Sequence, residues 1–175
     1  NVYGIIPVTE NLVNGKAYKP QDVITTLSGK TVEVVSTDAE GRLILCDAIT
    51  YAQKLGASHL IDLATLTGAC VAALGDVYTG VFANDDAYYQ EFEQAMKAAD
   101  EKGWRLPMDE EYLEKLQSNS ADFKNGPMTF GGEASGAACL LNEFVEDGIK
   151  WIHLDIAATA KTPDGATGAM IRSIV

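Results

Sequence analysis

Two stretches of this chain, HLIDLATL (His59–Leu66) and WIHLDIAATA (Trp151–Ala160), restrict its fold more than any other feature. Each is a nearly continuous apolar run of strand length, the pattern of a strand buried on both faces of a sheet. Each carries a His and an Asp and runs out into small residues and threonine. Other strand-length runs alternate with helical periodicities. TVEVVS (31–36) is β-branched. Leu45, Ala48, Ile49 and Ala52 recur at helical spacing until Gly56, and TGACVAALG and VYTGVFAN follow the first buried run. Asp86–Asp100 and Asp109–Ser118 read as charged amphipathic helices, and Glu133–Phe144 as a small-residue helix. This alternation predicts an α/β fold with a mixed, mostly parallel central sheet and helices on both faces. Val2–Val8 reads as a first strand, SADFKNGPMTFGG as a loop, and GATGAMIRSIV as the start of a last helix.

The 175 residues fit a single domain, and 47% apolar with 22% charged residues is an ordinary globular balance. A net charge of −12 without any basic cluster argues against a nucleic-acid partner. No apolar run reaches the roughly eighteen residues that a membrane span needs. Cys46, Cys70 and Cys139 lie in helical patterns without CxxC spacing, which points to buried free thiols in a reducing compartment, the cytoplasm. Asn1 opens in what reads as a strand already under way, so the expected unit is one catalytic-type domain over residues 1–175, incomplete at its N-terminal side and slightly truncated at its C-terminus.

VVSTDAEGRLILCDAITYA (34–52) holds the chemistry. Thr37 and Glu40 have capping-box spacing, in which the Glu reaches back to the cap amide. Two features oppose that reading. Arg42 would place a cation near the positive end of a helix dipole without a counter-anion, and Gly41 inside a helix costs up to about 1 kcal/mol unless something approaches closely. A corner presenting Asp38, Glu40 and Arg42 suits a site that holds a cation and an anion together. Carboxylates without nearby Cys or His select hard or borderline divalent ions.

The same stretch resembles the signature of the leucyl aminopeptidase family, the cytosolic two-metal aminopeptidases, which carry N-T-D-A-E-G-R-L where this chain has Ser36 through Leu43. The resemblance continues through TENLVNGKAYKPQDV, IDLATLTGAC, WRLPM, SADFKN, GGEASGAACLLNEF and HLDIAATA. Gln21 departs from it, standing where the family has Gly in a turn. The resemblance implies that Asp38 and Glu40 ligate metal, with Glu40 bridging two divalent ions (Mn or Zn, with Mg also admitted). It implies that Arg42 holds a bicarbonate acting as general base. The backbone at Leu66 would position the bicarbonate and the substrate, and Thr65, Gly68, Ala157 and Ala160 would line the pocket for the N-terminal side chain. Peptides with a free N-terminus are the implied substrates, and a homo-hexamer the implied assembly.

The family's other ligands, two aspartates and a lysine, and a second catalytic lysine find no counterpart in Asn1–Val35. This polypeptide alone is therefore expected to bind metal weakly and to be inactive. A non-catalytic oligomerising or binding module on the same fold is the alternative. Other candidates read as structural: His59 and His153 as core histidines, Asp62 and Asp155 as carboxylates bonded to loop amides, and GGEASGAA as small residues for close helix packing. Cys139 lacks a neighbouring His that would activate it.

Overall fold

The structure is a computed structural model and describes all residues except Pro127, Thr129 and Phe130. Along the chain lie β1 (Val23–Thr25), β2 (Thr31–Glu33), α1 (Glu40–Lys54), β3 (His59–Ala64), α2 (Gly68–Leu74), β4 (Thr79–Ala83), α3 (Asp86–Ala99) and β5 (Gly103–Arg105). There follow α4 (Glu110–Glu114), β6 (Phe123–Lys124), α5 (Glu133–Asn142), β7 (Lys150–Asp155), β8 (Lys161–Thr162), β9 (Gly165–Ala166) and α6 (Ile171–Ile174). The central sheet has the order β3-β7-β4-β5. β3 runs parallel to β7 and β4 parallel to β5, while β4 and β7 pair antiparallel. A smaller sheet, β1-β2-β6, and the β8–β9 hairpin complete the pairing.

Helices cover both faces of the central sheet because side chains alternate along its strands. Phe82 of β4 and Trp151 of β7 pack with Leu45, Cys46 and Ile49 of α1 and Leu140 and Leu141 of α5. Val81, Ile152 and Leu154, at the alternate positions of the same strands, face the other way, against Phe92 and Met96 of α3 and Met170. The fold class follows the sequence pattern, though the parallel character is partial.

Several expectations need correction. Residues 2–8 form no strand and lie largely exposed. The TVEVVS run is a strand only over Thr31–Glu33, and the last stretch opens on β9 before its short helix, which spans four residues. Of the two apolar runs, β7 is buried over Trp151–Asp155, whereas β3 is only half-buried. The reason is position: among the described residues β3 is the last strand of the sheet and pairs on one side alone. His59, at its exposed end, bonds Ser58 Oγ at 3.0 Å and is no core residue.

His153 is a core residue, fully buried and stacked near Phe82 and Trp151. Its Nδ1 lies 2.6 Å from Asp62 Oδ1, and the Trp151 indole N–H donates to Asp62 Oδ2 at 2.7 Å. One carboxylate thus ties β3 to β7 through two side chains. Burial works against the charged imidazole, but Asp62 outweighs it and lifts the His153 pKa above its ordinary value.

A raised folded-state pKa makes this contribution to stability full below about pH 6.5 and lost as pH climbs through the raised value. Urea unfolding of wild type and Asp62→Asn at a series of pH values will show their gap largest at the acid end and narrowing upward. A second test concerns Gln21, an exposed non-glycine residue with φ of 76°. Left-handed backbone costs an L-residue about 1 kcal/mol. Gln21→Gly will therefore raise the urea midpoint, the opposite of most surface Gly substitutions.

Candidate functional site

The corner between β2 and α1 is held by a side chain from a distant loop. Asn125, fully buried, accepts the amides of Val35 and Ser36 at 2.8 and 3.2 Å with Oδ1. Its Nδ2 donates to the carbonyls of Ser36 and Ala39 at 2.7 and 3.3 Å. α1 therefore begins at Glu40, with Ala39 as its cap residue and no side-chain cap bond. The capping box does not form, since Asn125 fixes the turn from outside. Asp38 and Glu40 are both exposed at the helix start.

Arg42 points elsewhere. Two residues along a helix amount to about 200° of rotation, so Glu40 and Arg42 leave α1 on opposite sides. Arg42 is 2% exposed. Its Nη1 donates to the Asn125 carbonyl at 2.8 Å and its Nη2 meets Glu133 Oε1 at 3.4 Å, while Nε is buried with no partner among the described residues. Burial pushes the Arg42 pKa down and Glu133 opposes the shift. Gly126, at φ 117°, permits this approach, because a Cβ there would stand 3.0 Å from Nη1.

The substrate-pocket candidates gather at the carboxyl ends of the parallel pair β3 and β7, where open α/β sheets bind ligands. Thr65 and Gly68 are exposed, and Leu66, Ala157 and Ala160 half-buried. Asp155, at the end of β7, locks the two ends together. Its Oδ1 accepts the amides of Leu66 and Ala157, each at 3.1 Å, and its Oδ2 accepts the Thr67 hydroxyl at 2.7 Å. This is the structural role expected of it. Gly41 joins the corner to the loop after β3: a Cβ there would lie 3.1 Å from Leu66 Cδ1. The close approach anticipated for that glycine is thus to the loop after β3.

Among the described residues, no three His, Cys, Asp or Glu side chains converge as a metal cluster. Asp38 and Glu40 have the chemistry to be two ligands of a hard cation but not to enclose one. Two hollows among the described residues, about 400 Å³ beside Tyr89 and Trp104 and about 320 Å³ beside Ile44 and Tyr51, are lined by none of the candidate residues.

The model of the "Cytosol aminopeptidase family, catalytic domain" matches residues 1–175. The chain belongs to the cytosol aminopeptidase family. It is 49% identical over 181 residues to a probable cytosol aminopeptidase of Koribacter versatilis, an alignment covering 99% of this chain and 35% of that protein. It is 55% identical over 159 residues to one of Acidobacterium capsulatum, covering 91% and 31%. A solved structure of a tomato leucine aminopeptidase mutant superposes with a TM-score of 0.91 at 41% identity, covering 95% of this chain and 33% of that one. The chain thus spans about a third of the length of these relatives.

In this member of the cytosol aminopeptidase family, sequence reasoning missed two residues of the site. Asn125 stood in a stretch read as loop, and Glu133 in one read as helix packing. The packing role does hold for α5, where Ala134–Leu141 are all buried. A signal for Glu133 existed, since Arg42 had been found to lack a counter-anion. The three cysteines are buried free thiols. Burial pushes all of them away from the reactive thiolate, Cys70 up to about 11.

Asn125→Ala will leave two amides and two carbonyls of the corner without their partner and cost about 3 kcal/mol or more. Urea unfolding measures this. Asn125→Asp, which puts a carboxylate oxygen against the Ser36 and Ala39 carbonyls in a buried site, should be destabilised as well.

Proposed function

We propose that these residues form one side of the active site of a two-metal aminopeptidase, which removes leucine-like residues from peptides with a free N-terminus. The observation that carries this reading is the placement of the acidic pair. Asp38 and Glu40 open α1 on its exposed side, and Gly41 between them and Arg42 packs against Leu66, at the mouth of the β3–β7 strand ends. Family membership and the tomato enzyme's similarity support the same assignment.

In this reading Asp38 and Glu40 would be the residues of this chain that hold the two divalent ions, Mn or Zn. Such a pair, when bound, lowers the pKa of a water and stabilises its attack on a carbonyl. The rest falls to the chain itself. Arg42 provides the seat for an anion, which the resemblance names as bicarbonate. The Leu66 backbone, held by Asp155, orients the scissile peptide. Thr65, Gly68, Ala157 and Ala160 receive the N-terminal side chain, and their small size admits a branched apolar group. The working protein is a cytoplasmic homo-hexamer. No helix among the described residues is long and apolar enough to cross a membrane.

A catalytic zinc takes three protein ligands, and this chain offers two carboxylates. The 175 residues alone should therefore bind metal weakly and release no leucine. The full-length gene product with added Mn or Zn should hydrolyse Leu-p-nitroanilide. Asp38→Asn or Glu40→Gln should lower its kcat/KM by about a thousand-fold and abolish one metal-binding event in calorimetric titration. Full activity in both variants would remove the acidic pair from the mechanism.

A further inference from the structure

We propose that Tyr18 is a positioning residue for the acidic pair: its hydroxyl holds the Thr37–Asp38 peptide, and through it fixes how Asp38 and Glu40 are presented. This rests on the aminopeptidase reading above and deepens it at the same site. The hydrogen bonds of the corner single Tyr18 out. Asn125 takes up the amides of Val35 and Ser36 and the carbonyls of Ser36 and Ala39. The Asp38 amide turns to Ser36 Oγ and the Ala39 amide to the Ser36 carbonyl, each at 3.3 Å. None of these serves the Thr37 carbonyl. The Tyr18 hydroxyl donates to it at 3.2 Å. A peptide unit is planar, so fixing that carbonyl fixes the plane that leads into Asp38.

Tyr18 reaches the corner from a loop that is itself tied down beside it. The Gln21 amide donates to the Val34 carbonyl at 2.7 Å, and the Val34 amide to the Asp22 carbonyl at 2.8 Å. Lys19 is fastened to Asp22 by its amide at 3.0 Å and by Nζ at 2.6 Å. The phenol is therefore a strut between two parts of one anchored unit. Burial first, and the Glu40 charge second, push the Tyr18 pKa above its ordinary value. The hydroxyl thus keeps its proton and donates at neutral pH, and Glu40 is among the charges it feels. The bond itself is exposed. Water can serve the carbonyl once the hydroxyl is gone, so its loss costs little folding stability but frees the peptide to turn. Groups that orient ligands in this way control metal affinity while touching no metal themselves.

The test uses the full-length gene product and its Tyr18→Phe variant, which removes one exposed oxygen and leaves the ring. Calorimetric titration with manganese should give Tyr18→Phe a Kd about ten-fold weaker than wild type. At low manganese its kcat/KM on Leu-p-nitroanilide should fall in step with metal occupancy, and saturating manganese should restore the wild-type kcat and KM. Amide hydrogen exchange of the metal-free proteins gives a readout apart from turnover. The Asp38 and Ala39 amides should exchange faster in Tyr18→Phe, with those of β7 unchanged. An unaltered metal Kd, or unaltered exchange at both amides, would overturn the proposal. A kcat deficit that persists at saturating manganese would overturn it too, because the phenol would then act on the substrate and not through the ligands. If wild type binds neither manganese nor zinc, the two-metal reading fails and this role with it. A wild type that binds metal beside an unaffected Tyr18→Phe sinks the Tyr18 role alone.

Discussion

A guanidinium cannot be taken out of water unanswered, and Arg42 is almost wholly out of water. Its answer comes from two places far along the chain, the Asn125 carbonyl and the Glu133 carboxylate. These contacts fix α1 against α5 and against the loop between β6 and α5. The same Asn125 uses its side chain to hold the turn from Val35 to Ala39. One residue therefore pays for part of the buried charge and sets where Asp38 and Glu40 emerge. The position of the exposed acids is a consequence of how the buried base is satisfied.

The second half of the site depends on the pairing of β3 with β7. Parallel, in-register strands bring their carboxyl ends side by side, from His59 opposite Lys150 to Ala64 opposite Asp155. Asp155 then fastens the loops that leave both strands, using two amides and a hydroxyl. At the middle of the same pair, Asp62 joins His153 and Trp151 across the strands. Each strand thus contributes one buried or half-buried aspartate, and both serve the pairing that brings the pocket candidates together.

Much of this could be read from the chain before any coordinates. Alternating apolar runs gave the layers, and positions such as Gly56 and Gly75, both at positive φ, marked helix ends because only glycine adopts that backbone freely. What could not be read was contact between residues far apart in sequence. β3 looks as apolar as β7, yet periodicity is blind to which strand stands at an edge, so its burial was overstated. Residues 2–8 have strand composition but no partner strand among the described residues, and composition alone does not make hydrogen bonds. Asn125 was invisible for the same reason: its bonds to the corner span 86 to 90 positions.

The helix-dipole argument reached further than the motif argument did. Thr37-x-x-Glu40 fits a cap by spacing, but spacing does not say which competing partner wins, and Asn125 won. Arg42 was different, because electrostatics demanded a negative group wherever the chain placed it. The identity of that group was left open, and resemblance pointed to a dissolved ion. The fold brings one negative partner of its own, a carboxylate from the first turn of α5, where a second dipole also favours it. Two helix starts thus converge on one ion pair, Arg42 from α1 and Glu133 from α5. The acid at α5 satisfies both, which a lone residue at α1 could not have achieved.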